Sequence, residues 1–141
     1  LATVCIILSE SMSRILIAED EPKIAAFIKK GLKRSGFTTD VAANGNVVLE
    51  KVLAENFDLL LLDLGLPGKD GMEILREMHQ QGSALPIVVV TARELEPIDQ
   101  QVFRLFDITI FRKPFLMKKL LQKVRELLNA ESVNSELDTT E

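Results

Sequence analysis

Two kinds of apolar run alternate along the chain. Arg14 to Ala18, Leu59 to Leu62 and Ile87 to Val90 are short and essentially uninterrupted, and runs of this length suit strands covered on both faces. Phe37 to Val41 and Ile108 to Phe111 are shorter on signal but occupy equivalent places between helical stretches. Those stretches carry apolar residues at helical spacing. The first has Ile24, Phe27, Ile28 and Leu32; the second Val48, Leu49 and Val52; the third, Gly71 to Gln80, has Ile74, Leu75 and Met78. A fourth falls within Leu95 to Phe106, with Pro97 setting its start, and the last carries Leu116, Leu120, Leu121, Val124, Leu127 and Leu128. Pro22 suits the first residue of a helix and Gly36 the residue beyond its end, while Asn44-Gly45 opens the second helix. Strands alternating with single helices predict an α/β fold: a doubly wound five-stranded parallel sheet, right-handed crossovers and helices on both faces, a three-layer sandwich.

The chain has 141 residues, room for one domain with a proper core and too few for two ordinary ones. The pattern places that domain at residues 13–128, after an N-terminal extension (1–12) and before an acidic C-terminal tail (129–141). Leu1 to Leu8 is apolar but too short to span a bilayer, and it lacks the basic start and cleavage site of a secretory signal. Ser9 to Ser13 is a polar break around Met12, which fits a native start. An extra edge strand is the competing reading of the first eleven residues. Charge sharpens the division. All 17 Lys and Arg lie within 13–128 beside 16 acids, whereas the tail holds Glu131, Glu136, Asp138 and Glu141 and no base. The net charge of −4 implies no general affinity for nucleic acid, and no stretch calls for a membrane. Cys5 is the single cysteine, which excludes an intrachain disulfide and a cysteine-based zinc site and fits a reducing cytoplasm.

Candidate chemistry gathers where strands end. Asp63 follows Leu62 directly, before a loop broken by Gly65, Pro67, Gly68 and Gly71; Glu19-Asp20 follow the first strand, Thr91 ends the fourth and Lys113 follows the fifth. In a parallel sheet all these ends share one edge, the edge where open α/β sheets bind ligands. Carboxylates held about 4 Å apart repel by roughly 4 kcal/mol per pair at an effective dielectric near 20, so the acids call for a cation. All-oxygen ligation with retained waters suits Mg²⁺. A lysine and a hydroxyl opposite complete a site for a phosphoryl group carried on an aspartate. Each residue alone has an ordinary explanation: Glu19-Asp20 as a helix cap, Asp63 as a turn former, Thr91 as a β-branched strand end, Lys113 as a solvated charge. Their joint occurrence at strand ends is what argues for function.

These residues resemble the receiver domain of bacterial response regulators. The likeness covers roughly 13–128 and rests on Ile-Leu-Ile-Ala-Glu19-Asp20-Glu21, Leu-Leu-Asp63-Leu-Gly-Leu-Pro67-Gly-Lys-Asp-Gly71, Val-Val-Thr91-Ala-Arg and Lys113-Pro114-Phe115, with 43 residues from Asp20 to Asp63, 28 from Asp63 to Thr91 and 50 from Asp63 to Lys113. The resemblance implies the flavodoxin-like strand order 2-1-3-4-5 and a phosphorelay switch. Asp63 would accept a phosphoryl group from a sensor histidine kinase or phosphotransfer protein. Glu19, Asp20, Asp63 and the backbone carbonyl of Gly65 would hold Mg²⁺; Thr91 and Lys113 would bind the phosphoryl oxygens; the Lys113-Pro114 bond would be cis. Beyond self-phosphorylation and self-dephosphorylation no enzymatic activity is implied, and the downstream partner is a protein the sequence does not name. One segment departs from the pattern. Where such domains usually carry a Gly-Ala-Asp-Asp-Tyr-like run, this chain has Phe106-Asp107-Ile108-Thr109-Ile110, without the small residues or the aromatic that acts in the switch.

Other function classes fit less well. A haloacid-dehalogenase-type phosphatase needs a second Asp two residues after the nucleophile, and Gly65 stands there. Neither a Walker lysine motif nor G-x-G-x-x-G is present for nucleotide binding, and His79 reads as a surface residue on a helix. The altered 106–110 segment leaves open a receiver-like adaptor that binds proteins without regard to phosphorylation.

Overall fold

A computed structural model describes residues 13–140, with side chains through Asn129. Its elements are β1 (Arg14–Ala18), α1 (Pro22–Arg34), β2 (Thr38–Ala42), α2 (Gly45–Ala54), β3 (Leu59–Leu62), α3 (Gly71–Gln80), β4 (Ile87–Thr91), α4 (Pro97–Leu105), β5 (Thr109–Arg112) and α5 (Met117–Thr140). The five strands form one parallel sheet in the order β2-β1-β3-β4-β5, the flavodoxin-like order expected. The extension at 1–12, including the alternative edge strand, lies outside the described residues. The bounds of α5 run past Asn129, where the acidic tail was expected to begin.

Why the apolar runs are continuous is visible in how the strands bury their two faces. Leu16, Leu60, Leu62 and Val89 pack on one side with Val48, Ile74, Leu75 and Phe103 from α2, α3 and α4. Ile15, Ile17, Leu59, Leu61, Val88 and Val90 pack on the other with residues of α1 and α5, among them Ile28, Leu32, Leu120 and Val124. Each such aliphatic side chain contributes about 1.5–3 kcal/mol by leaving water. Two residues depart from the expected stripes. Phe27 is half-exposed, its ring tilted against Phe115 at 6.1 Å between centroids. Leu116 is exposed and stands just before α5, where its carbonyl accepts from Lys119 and Leu120.

Two strands begin one residue later than the apolar pattern predicts, and helix ends are the reason. After α1 the Gly36 amide donates to Lys33 O and the Phe37 amide to Leu32 O, with Gly36 at φ 92°, a Schellman closure. Phe37 thus spends its amide on the helix and packs beneath α1, and β2 starts at Thr38. The same closure follows α4. Asp107 donates to Arg104 O and Ile108 to Phe103 O, so β5 starts at Thr109. The left-handed position here is filled by Asp107 at φ 53°, where glycine is the usual occupant.

Candidate functional site

At the carboxyl edge Glu19, Asp63 and Lys113 are each the first residue beyond their strand and Thr91 is the last within its own, and all four are still held by the sheet ladder. The Asp63 amide donates to Ala18 O at 3.0 Å, the Glu19 amide to Ala42 O at 3.1 Å and the Lys113 amide to Thr91 O at 2.9 Å. The backbone of the site is therefore sheet, although its side chains face the loops. The Lys113-Pro114 peptide is cis.

Among the side chains, Glu19, Asp20 and Asp63 each bring one carboxylate oxygen within 4.8 Å of the others. Lys113 Nζ lies 2.7 Å from Glu19 Oε1 and 3.2 Å from Asp63 Oδ2. Glu19 is buried and accepts a second bond from the Glu21 amide at 3.1 Å. Asp63 is buried except for its rim and accepts at Oδ1 from the Gly65 amide at 3.2 Å. Asp20 is the most solvent-facing of the three. Burial pushes the Glu19 carboxyl above its ordinary pKa, opposed by the bonds from Lys113 and the Glu21 amide and reinforced by the Asp63 charge. Burial pulls the Lys113 ammonium down, but its contacts with Glu19 and Asp63 outweigh that and leave it raised. Three carboxylates share one ammonium, so the cluster is two charges short of neutrality. Repulsion between two carboxylates at this separation is about 3–4 kcal/mol at an effective dielectric near 20. Hard oxygen donors in an anionic cluster fit a divalent cation.

Thr91 lies at the end of the adjoining strand, fully buried, with Oγ1 accepting from the Arg93 amide at 3.1 Å. Gly65 opens the loop after Asp63; a Cβ placed on it would have only Asp63 Oδ1 nearby, at 3.9 Å. That loop is tethered from outside the site. The Gly45 amide donates to Pro67 O at 2.9 Å and the Gly71 amide to Leu64 O at 3.0 Å, and Lys69 pairs with Glu77 at 2.7 Å. A Cβ on Gly45 would fall 1.9 Å from Lys69 O. His79, at the far end of α3, stacks on Phe106 at 4.3 Å and takes no part in the cluster.

The structure thus brings Glu19, Asp20, Asp63 and Lys113 together and sets Thr91, at the end of β4, and Gly65, on the loop after β3, beside them. Two further residues stand near the cluster without entering it, through contacts that spacing does not reveal. Asp70 accepts from the Met72 amide at 3.0 Å as the cap of α3, and its other oxygen pairs with the Arg93 guanidinium. Asp70 was not singled out from the sequence, although an Asp directly before a helix is a cap signal; nothing in the sequence links it to Arg93.

A doubly wound parallel sheet with an acidic, lysine-bridged cluster at its carboxyl edge defines a narrow class of phosphoryl-handling α/β domains. The family model of the response regulator receiver domain matches residues 15–125, and the chain belongs to that family, the receiver domains of two-component signalling. It is 34% identical over 123 residues to the transcriptional regulatory protein ResD of Bacillus subtilis, covering 87% of this chain and 51% of that one. To the response regulator ArlR of Staphylococcus epidermidis it is 35% identical over 130 residues, covering 90% and 58%. The chain spans about half the length of the curated relatives it matches. Among solved structures, the response regulator TrrA of Thermotoga maritima in complex with Mg²⁺-BeF is similar at TM-score 0.74 and 33% identity, with 83% of this chain and all of that one (100%) covered. A CheY-like receiver domain protein of Methanospirillum hungatei superposes at TM-score 0.80 and 27% identity, covering 87% and 98%. No helix among the described residues is long and apolar enough to cross a membrane.

Proposed function

We propose that this chain is a phosphorylation-controlled switch in which Asp63 accepts a phosphoryl group from a histidine kinase or a phosphotransfer protein. One observation carries the reading: Lys113 Nζ bridges Asp63 and the buried Glu19 inside a three-carboxylate cluster, at the strand edge where the family keeps its chemistry. An Asp63 carboxylate oxygen attacks phosphorus, the bond from phosphorus to the donor imidazole nitrogen breaks, and the electron pair leaves with the imidazole. Lys113 and the Thr91 hydroxyl donate to the phosphoryl oxygens as they gather charge. Glu19, Asp20, Asp63 and the Gly65 carbonyl would hold Mg²⁺, whose contribution is to offset the negative charge of acids and phosphoryl group together. The similarity to a regulator solved with Mg²⁺-BeF supports that choice. Hydrolysis of the aspartyl phosphate by water resets the switch, so the chain turns over its own phosphate and no external substrate. Residues 13–128 form the receiver unit, 1–12 stand outside it and 129–141 are an acidic tail; the setting is the cytoplasm, the output partner a protein, and neither nucleic acid nor membrane is bound by this chain.

Mass spectrometry after incubation with acetyl phosphate tests the reading. A Mg²⁺-dependent gain of one phosphoryl group, absent in Asp63→Asn and weakened in Asp20→Asn, is expected. An unchanged adduct in Asp63→Asn overturns the assignment, and no adduct in the native chain favours the phosphorylation-independent adaptor.

A further inference from the structure

We propose that Arg93 is a positioning residue for Thr91, acting through a three-point tie that fixes the loop after β4. This rests on the reading of Thr91 as a donor to the phosphoryl group. A threonine hydroxyl has one proton to give and two lone pairs to receive with, and it rotates to suit its surroundings. In this chain a lone pair of Thr91 Oγ1 is taken by the Arg93 amide at 3.1 Å, and no acceptor for its proton is recorded among the described residues. The rotor is thereby biased toward leaving its proton for an incoming oxygen.

That bias is only as firm as the placement of the Arg93 amide, and the amide is held from three directions. Its own bond runs to the end of β4. The Arg93 carbonyl accepts from Arg112 Nη1 at 2.8 Å, at the end of β5. The guanidinium pairs with Asp70, whose other oxygen caps α3. A loop residue that is itself exposed is therefore anchored to two strands and the start of a helix. Arg93 and Asp70 stand outside the acidic cluster, so loosening them should disturb phosphoryl binding and leave cation binding alone.

Four variants of the full chain test this: Arg93→Ala, Arg93→Lys, Asp70→Ser and the Arg93→Ala/Asp70→Ser pair. Serine caps a helix about as well as aspartate, so Asp70→Ser keeps α3 while removing the ion pair. Binding of beryllofluoride, as a phosphoryl mimic in the presence of Mg²⁺, and binding of Mg²⁺ alone are followed by NMR. The side chains of this pair are 39% and 40% exposed, so the effect expected is about two- to fivefold weaker beryllofluoride binding in Arg93→Ala and in Asp70→Ser. The double variant should be no worse than either single one, Arg93→Lys should recover part of the loss, and Mg²⁺ affinity should be unchanged throughout. Equal or tighter beryllofluoride binding overturns the inference, as does an equal loss of Mg²⁺ affinity, which would mark a general disturbance of the fold. The native chain separates the two readings. If it takes phosphate from acetyl phosphate and binds beryllofluoride while the variants match it, only the role of Arg93 falls; if it does neither, the switch reading falls and takes this inference with it.

Discussion

Replacing Lys113 by Met should make the free protein less stable and its cation site stronger. The side chains involved are almost dry, with exposures of 11% for Lys113, 2% for Glu19 and 10% for Asp63, so solvent screening removes little of the effect. Removing one partner from a buried ionic cluster costs about 3–5 kcal/mol, because the charges left behind are uncompensated. Protonation limits that cost. The Glu19 carboxyl is already raised by burial, and loss of the ammonium raises it further, so the variant can take up a proton that the unfolded chain releases. We expect a deficit of about 3 kcal/mol at pH 7. For an acid whose folded pKa is raised, the penalty is full above that pKa and fades as pH falls toward the unfolded value, so the deficit should shrink as the pH is lowered from 7 toward 5. The same deletion leaves three carboxylates with no competing cation, and Mg²⁺ should bind about tenfold or more tightly, a gain of at least about 1.4 kcal/mol. Saturating Mg²⁺ should then restore much of the lost stability. Urea unfolding with EDTA and with Mg²⁺, followed by circular dichroism because the chain has no Trp or Tyr, measures both effects. Native-like stability of Lys113→Met in EDTA at pH 7, or weaker Mg²⁺ binding by calorimetry, would refute the reasoning.

Gly45→Ala should cost about 1–3 kcal/mol and weaken Mg²⁺ binding, because the added carbon meets the Lys69 carbonyl at 1.9 Å and must push the loop that begins at Gly65; unchanged melting and unchanged metal affinity would contradict the tether. Asp107→Gly should stabilise by about 1 kcal/mol, since a β-carbon at φ 53° carries a left-handed penalty that glycine lacks, and thermal unfolding reads it directly. By the resemblance drawn from the sequence, Ile110 stands where a switching aromatic is expected, and its branched side chain has few χ1 choices. Beryllofluoride should accordingly move NMR shifts around Thr91 while changing Val102, Ile110 and Leu120 little; large changes there, or tight dimerisation on activation, would contradict this.

The sheet was legible because parallel strands buried on both faces need apolar residues at every position, and Leu59 to Leu62 can hardly be read otherwise. Its carboxyl edge was legible for the same reason: once the strands are placed, Glu19, Asp63, Thr91 and Lys113 must share one side. Boundaries failed by one residue at Phe37 and Ile108, apolar residues whose amides are claimed by the preceding helix, a competition that hydrophobicity does not record. Phe27 and Leu116 were read inward from spacing alone, yet both stand at the margin of the α1 and α5 packing. The ties from Gly45 to Pro67 in the Asp63 loop and from Asp70 to Arg93 span 22 and 23 residues and depend on how loops cross. Periodicity carries no information about that.

The ladder that continues through Asp63 has a consequence for where motion can occur. The Asp63 amide is bonded between two central strands, β3 and β1, and such amides open only when the domain itself comes apart, so it should exchange its hydrogen about as slowly as the middle of β3, whereas loop amides exchange through small local openings. The carboxylate proposed as phosphoacceptor is thus fixed to the slow part of the molecule. A signal begun at Asp63, under the proposed function, would find no freedom in β3 itself and would leave by loops such as those after β3 and β4, which can open without unfolding the rest.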